Sequence, residues 1–282
     1  MSRSRLCSAA RQSTGSGACS SVIRYQFSLL APHAERLHAG CTGRDGGVSK
    51  PPYDELNVGL HVGDDQQAVI ENRRCIARAL DIELSSFVIP QQVHGSDVRM
   101  VTSIDRGRGA LRGEDAIPGV DALITREAGI ALAVMLADCV PVVVFDPVTP
   151  AVGVAHAGWA GTVSHVARNT VTAMRKELGS DPSTLLAGVG PSIGPDSYEV
   201  GAEVAERAQA EFPDTGVVRP QGNGKFLLDL WGCNVADLRA AGLPREHIEV
   251  AGLDTFQLPE RFFSHRRQQP TGRFLALAML RA

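Results

Sequence analysis

The sequence has no close pair of cysteines and no Cys-x-x-Cys: its cysteines stand apart at positions 7, 19, 41, 75, 139 and 233. That scatter excludes a zinc ribbon and argues against a disulfide framework, so a reducing, cytoplasmic setting is expected. No run approaches the roughly 18 apolar residues needed to span a bilayer, and no membrane partner is expected. Nor is there a surplus of one charge: 28 Lys and Arg face 31 Asp and Glu, a formal net charge of −3 with the signs interspersed. Such a surface has no field to draw in nucleic acid, which leaves a small molecule as the expected partner. Internal repeats and composition-biased linkers are absent as well, which argues against a repeat array and against two tethered domains.

What is present is a chain of 282 residues, 44% hydrophobic and 21% charged, long enough to bury a substantial core. Residues 1–22 combine Arg3, Arg5 and Arg11 with many Ser, Ala and Gly and carry no acidic residue. They read as a leader-like or disordered tail, outside a single catalytic domain over residues 23–282. Within that domain strand-like and helix-like stretches mingle, which places the fold in the α+β class. Helices are expected over residues 66–80, with Asp64 or Asp65 as cap, over 162–178, closed by Gly179, over 200–212 and over 231–241. Strands are expected over 22–30, 87–93, 120–125, 151–155, 185–189, 226–230, 248–252 and 274–279. The stretch 105–119 is Gly- and charge-rich without periodicity and reads as an exposed loop.

Residues 131–161 hold the centre of the sequence. The Val-rich run 131–145 is interrupted by Asp138, Cys139 and Pro141, which predicts two strands with a break at Cys139. A short strand then delivers His156, followed by Gly158, Trp159 and Gly161. His94, in Gln92-Val93-His94-Gly95, ends another predicted strand. Two imidazoles and one thiol, each near a strand end, supply the three protein ligands of a catalytic zinc site with an open fourth position. The bland alternative is a buried thiol and two hydrogen-bonded histidines, because free cysteine is among the most buried residue types. Two other patterns carry less. Gly190-x-Ser192-x-Gly194 has the form of a serine-hydrolase elbow, but Pro191 and Pro195 flank it where a tight strand-turn-helix is required. His247-Ile248-Glu249 is half of a zinc deaminase signature whose Pro-Cys-x-x-Cys half is missing.

Substrate contacts are read in three places. Arg44 lies in the Gly-rich stretch 43–49, Asn57 opens the Gly-punctuated loop 57–65, and Arg266 follows Phe262-Phe263-Ser264-His265. The two guanidinium groups are candidates to clamp a phosphate and Asn57 to contact the substrate. Asp138 is a candidate to orient a metal ligand from behind.

The segments Gly43-Arg44-Asp45-Gly46-Gly47, Gln92-Val93-His94-Gly95, Ala137-Asp138-Cys139-Val140-Pro141, Ala155-His156-Ala157-Gly158-Trp159, Gly190-Pro191-Ser192-Ile193-Gly194 and the stretch 262–267 together resemble the YfiH-like family. That family is also called the polyphenol-oxidase or peptidoglycan-editing family, and its members act as purine nucleoside phosphorylases. The resemblance implies a four-layer α/β/β/α sandwich of two mixed sheets flanked by helices. It implies zinc on His94, Cys139 and His156, with copper as the alternative ion. It implies phosphate-dependent cleavage of adenosine, inosine, guanosine and methylthioadenosine, with accompanying deamination of adenosine, by a monomer or homodimer. A copper oxidase of phenols and a cysteine hydrolase or peptidoglycan-editing factor built on Cys139 are the rival readings. The chain departs from the family pattern at Ala160, where Arg is usual, and at Asp254, where Cys is usual.

Overall fold

Both Val-rich runs of the central stretch are strands buried on both faces, and that property generates the layers. The computed structural model describes residues 22–281. In chain order the first elements are β1 (Ile23–Tyr25), β2 (Leu37–Thr42), α1 (Gln66–Leu80), β3 (Phe87–Val88), β4 (Val98–Met100) and β5 (Ala122–Thr125). The central elements are β6 (Ala131–Leu136), β7 (Val140–Asp146), β8 (Ala151–Ala157), α2 (Trp159–Val163), α3 (Val166–Leu178) and β9 (Leu186–Val189). The last are β10 (Glu199–Gly201), α4 (Ala202–Glu211), β11 (Val218–Gly222), β12 (Lys225–Leu228), α5 (Leu230–Ala240), β13 (Ile248–Val250) and β14 (Phe274–Leu280).

One sheet runs β1-β2-β14-β6-β3 and a second runs β13-β9-β7-β8-β5-β4, both mixing parallel and antiparallel pairs. The alternation of each strand divides its side chains between two cores. In β6, Leu132, Val134 and Leu136 join Phe145, Val152 and Val154 of the second sheet in a core between the sheets. Ala131 and Ala133 face the other way, against Cys75 and Ile76 of α1. Val140, Val142 and Val144 of β7 pack outward under Val166, Val171 and Met174 of α3 and under α5. The order of layers is therefore α1, first sheet, second sheet, then α2 to α5, as the sequence resemblance implied. Each fully buried Val, Leu or Phe in these cores contributes about 1.5–3 kcal/mol.

Helix α1 occupies the expected residues because Asp65 caps it, its carboxylate accepting from Ala68 N at 2.8 Å. Several expectations need correction. The helix expected over 162–178 is two helices, since His165 takes a left-handed φ of 62° and its ring binds Asp237 (2.8 Å) and Glu211 (3.1 Å). The strand expected over 87–93 stops at Val88, because Pro90 has no N–H to continue the ladder. The first strand is likewise shorter than 22–30, ending at Tyr25, and β2 has no counterpart among the expected strands. A small sheet, β10-β12-β11, was anticipated only at β12. The leader-like tail lies outside the described residues except for Val22, which is buried. Among the described residues Cys41, Cys139 and Cys233 are free thiols, and Cys75 is disulfide-bonded. No helix among the described residues is long and apolar enough to cross a membrane.

Candidate metal centre and its cavity

Cys139 sits where the chain leaves one sheet for the other. Strand β6 belongs to the first sheet and β7 to the second, and three residues make the crossing. Asp138 makes the turn with a φ of 87°, a conformation that costs a non-glycine residue about 1–3 kcal/mol. Hydrogen bonds offset that cost. Its carboxylate accepts from Thr255 Oγ1 and from Arg266 N, both at 2.7 Å, and its carbonyl accepts from Ile193 N at 2.9 Å. Asp138 thus shapes the Cys139 turn rather than touching an imidazole.

His94 lies beyond the end of β3, in a turn where it too takes a left-handed φ, 59°. One carboxylate fixes that turn: Asp121 accepts from Val93 N (3.0 Å), His94 N (3.0 Å) and Gly95 N (2.7 Å). Gln92, just before it, is tied to β6 through Met135 N (2.8 Å) and Met135 O (2.9 Å). His156 is within β8, opposite Pro141, and is 3% exposed. Its Nδ1 is 2.7 Å from Asp121 Oδ1, so the charged carboxylate selects the Nδ1–H tautomer and leaves Nε2 as the free donor. Asp121 is fully buried and holds two of the three donor residues at once. Sequence reasoning missed it, because three of its four partners are backbone N–H groups that no pattern of residue types marks.

The donor atoms of His94, Cys139 and His156 lie within 4.8 Å of one another. The two rings meet edge to face, their centroids 4.9 Å apart. The bare face of Gly158 makes room for them: a Cβ there would sit 2.9 Å from His94 Cδ2 and 3.1 Å from Cys139 Sγ. One sulfur and two imidazole nitrogens, with a carboxylate behind one ring and an opening in front, fit a single zinc ion with a free coordination position.

Burial opposes ionisation of the Cys139 thiol, but the charges and hydrogen bonds of His156 and His94 outweigh it and bring the thiol down to about 6. Burial likewise opposes charge on His156, which Cys139 and Asp121 outweigh, raising it to about 9. The metal-free centre is therefore a thiolate–imidazolium pair at neutral pH. Alkylation of Cys139 by iodoacetamide in chelator-treated protein should reach half its maximal rate near pH 6, because the thiolate is the nucleophile. Zinc added first should protect the residue, and a midpoint above pH 8 would contradict the pairing.

The donors open into a cavity of about 910 Å³. Leu60, Ile89, Leu111 and Met135 give it apolar walls, and Arg73, Arg112 and Arg273, beside His61 and His265, give it a mostly cationic side with one carboxylate, Glu114. Part of the stretch 105–119, expected to be an exposed loop, forms this wall, with Ala110 and Ile117 buried behind it. Of the residues read from the sequence, His94, Cys139 and His156 come together here. Asn57, Arg44 and Arg266 do not line the cavity. Asn57 is fully buried and binds Gly59 N (2.9 Å), Asp64 (2.8 Å) and Arg273 N (2.8 Å). Arg44 is engaged by Asp54 O (2.9 and 3.0 Å) and Pro259 O (2.8 Å) and lies over the Phe263 ring. Arg266 donates to Glu199 O (2.8 Å) and lies over Tyr198. Ser192, of the elbow-like pattern, is fully buried and holds Trp231 Nε1 at 2.6 Å, so no nucleophile is displayed there. At the two departures from the family pattern, Ala160 is half-buried in α2 and Asp254 caps a turn through Ser197 Oγ (2.6 Å) and Phe256 N (2.9 Å).

A pair of mixed sheets between helical layers, with two imidazoles and a thiol at the foot of one open cavity, defines a class of small-molecule enzymes with a candidate metal centre. The chain belongs to the YfiH family, described as multi-copper polyphenol oxidoreductase laccase, whose sequence profile matches residues 38–281. It is 43% identical over 249 residues to the purine nucleoside phosphorylase YlmD of Geobacillus stearothermophilus, covering 87% of this chain and 91% of that one. An adenosine deaminase from an unknown prokaryotic organism is 37% identical over 241 residues, 84% of this chain and 91% of its own. The crystal structure of YlmD from G. stearothermophilus superposes with a TM-score of 0.87 at 38% identity, covering 93% of this chain and all of that one.

Proposed function

We propose that this chain is a zinc-dependent purine nucleoside phosphorylase, acting on adenosine, inosine, guanosine or methylthioadenosine, with deamination of adenosine as a companion activity. The observation that carries the reading is the convergence of His94, Cys139 and His156 at the foot of the 910 Å³ cavity. The activities for which its relatives are named supply the substrate class. A metal held by these donors supplies Lewis acidity toward an oxygen of substrate or water. The chain's own residues do the rest. Asp121 keeps the proton of His156 on Nδ1 and fixes the His94 turn, so the donors need little reorganisation. Leu60, Ile89, Leu111 and Met135 offer the apolar surface that a purine ring requires. Phosphorolysis further needs an anion held near the anomeric carbon while positive charge develops on the ribose, and the cationic wall is the place for it.

Incubation with adenosine, with and without phosphate, tests the reading. Adenine and ribose 1-phosphate should form only with phosphate, and inosine in either tube; absence of all three in both would overturn it. The family's description favours a second reading, a copper-dependent phenol oxidase. Against it, the described residues hold a single cluster of metal donors, fewer than a multicopper centre requires. Copper in purified protein with phenol-dependent oxygen uptake would favour the oxidase, and activity surviving a chelator would favour a hydrolase using the Cys139 thiolate.

A further inference from the structure

We infer that Arg273, His61 and His265 form an oxyanion subsite on the wall of the cavity, built for a phosphate group and beside the three metal donors. This rests on the purine phosphorylase reading for its role in turnover, but not for its chemistry. All three side chains line the same cavity as His94 and Cys139. Arg273 immediately precedes β14, and its backbone N–H is pinned by Asn57 Oδ1 at 2.8 Å. Its Nη1 donates to Thr271 O (3.1 Å) and Gly272 O (3.0 Å), which sets the plane of the guanidinium. Gly59 lets the facing loop close over the arginine stem, since a Cβ there would lie 2.9 Å from Arg273 Cγ.

The ionic groups of this lining are mostly cationic: Arg73, Arg112 and Arg273 against one carboxylate, Glu114. Among the described residues no carboxylate forms an ion pair with Arg273, nor with the neighbouring Arg73. Arg73 is 3% exposed and has all its hydrogen-bonded donors on main-chain carbonyls, of Val58, Gly109 and Ala110, apart from a contact with the Met135 sulfur. Burial, and next the positive charge of Arg273, hold both His61 and His265 below the ordinary imidazole range. The two rings are thereby neutral N–H donors within the field of Arg273. Partly buried positive charge with no carboxylate in ion-pair contact is costly, Asp138 and Cys139 acting on Arg273 only at longer range, and an entering oxyanion offsets that cost. A planar guanidinium flanked by neutral imidazoles matches the several acceptor oxygens of a phosphate. Arg273 is also within electrostatic reach of Cys139, so an anion bound there would lie close to the donors. Arg273 was not singled out in the sequence, where it stands as one cation between Gly272 and a strand.

The test is titration of the metal-loaded full chain with inorganic phosphate, followed calorimetrically and by phosphorus NMR. Arg273→Met should weaken binding about tenfold or more, His61→Ala less, and Arg273→Lys should recover part of the loss, the scale expected for charge-assisted hydrogen bonds. The exposed Arg219→Gln is the control and should bind as the parent does. A parallel titration with adenosine 5′-phosphate separates the sources: a subsite for free phosphate binds the inorganic ion in competition with the ester, whereas binding of the ester alone overturns it. In turnover the KM for phosphate should rise more than the KM for the nucleoside. Unchanged phosphate binding in Arg273→Met and His61→Ala, or a loss only in Arg266→Gln, would overturn the subsite even if the parent makes ribose 1-phosphate. A loss at Arg273 in a protein that makes no purine product would leave the subsite standing and remove the phosphorylase reading. If Arg273→Met fails to fold, His61→Ala and Arg273→Lys carry the comparison.

Discussion

Cys139→Ala should abolish nucleoside turnover, by about 10³-fold or more, while leaving the fold intact. Lewis acidity is worth several kcal/mol of transition-state stabilisation, and each 1.4 kcal/mol is about tenfold in rate. The thiolate is the one anionic donor of the three, so its loss removes the charge that holds a divalent ion as well as a coordinating atom. Two neutral imidazoles remain, and metal content after gel filtration should fall far below one ion per chain. The side chain is only half-buried in a turn, and its neighbours Asp138 and Val140 keep their own bonds and packing. Thermal stability of the metal-free protein should therefore change by less than about 1.5 kcal/mol. Full metal content together with full activity would mean that the sulfur is a buried bystander.

Asp121→Ala is expected to act more broadly than any ligand substitution. The carboxylate accepts three part-buried backbone N–H bonds and one buried ring N–H. Each donor left unsatisfied costs about 1–3 kcal/mol, and with some relief from water the loss of stability should be about 3–5 kcal/mol. Asp121→Asn separates the two duties. The amide keeps the volume and one acceptor, so most of the fold survives, but an NH2 group cannot accept from His156 Nδ1–H as the carboxylate does. Zinc affinity should drop about 10–100-fold, and nitrogen-15 NMR of the metal-free variant, taken at a pH above the ring's titration near 9 where the imidazole is neutral, should show the His156 proton no longer fixed on Nδ1. Retention of that tautomer and of full affinity would show that Asp121 is merely structural. Burial works against ionisation of Asp121, but His156 and the backbone N–H groups outweigh it and hold the group below its ordinary 3.8. Its contribution to stability is therefore complete above that value and fades as the pH falls below it.

The three donors were legible in the sequence because thiol and imidazole chemistry is specific to residue type, but the reason given for their meeting was only partly right. Only Cys139 lies between strand ends; His156 is inside β8, and His94 is in a left-handed turn held by a residue 27 positions away. Asp121 works through backbone N–H groups, which every residue has, so no pattern of residue types points to it. Arg44 and Asn57 were visible as hydrogen-bonding groups in glycine-rich surroundings, and Arg266 as a guanidinium after two phenylalanines. What the sequence hides is the partners: Asp54 and Pro259 for Arg44, Gly59 and Asp64 around Asn57, Glu199 for Arg266. Periodicity located α1, whose buried residues recur along one face, and the strands β6, β7, β8 and β14, which are buried almost throughout. It overran β3 and missed β10, where two or three residues carry no period.

The short crossing from β6 to β7 has one further consequence. His94 is tethered through Gln92 to one sheet, His156 belongs to the other, and Cys139 is the link between them. The centre is thus property of neither half. A fragment retaining either layer alone would lack donors however well it folded, so the chemistry proposed for this chain is indivisible from the seam that joins its two sheets.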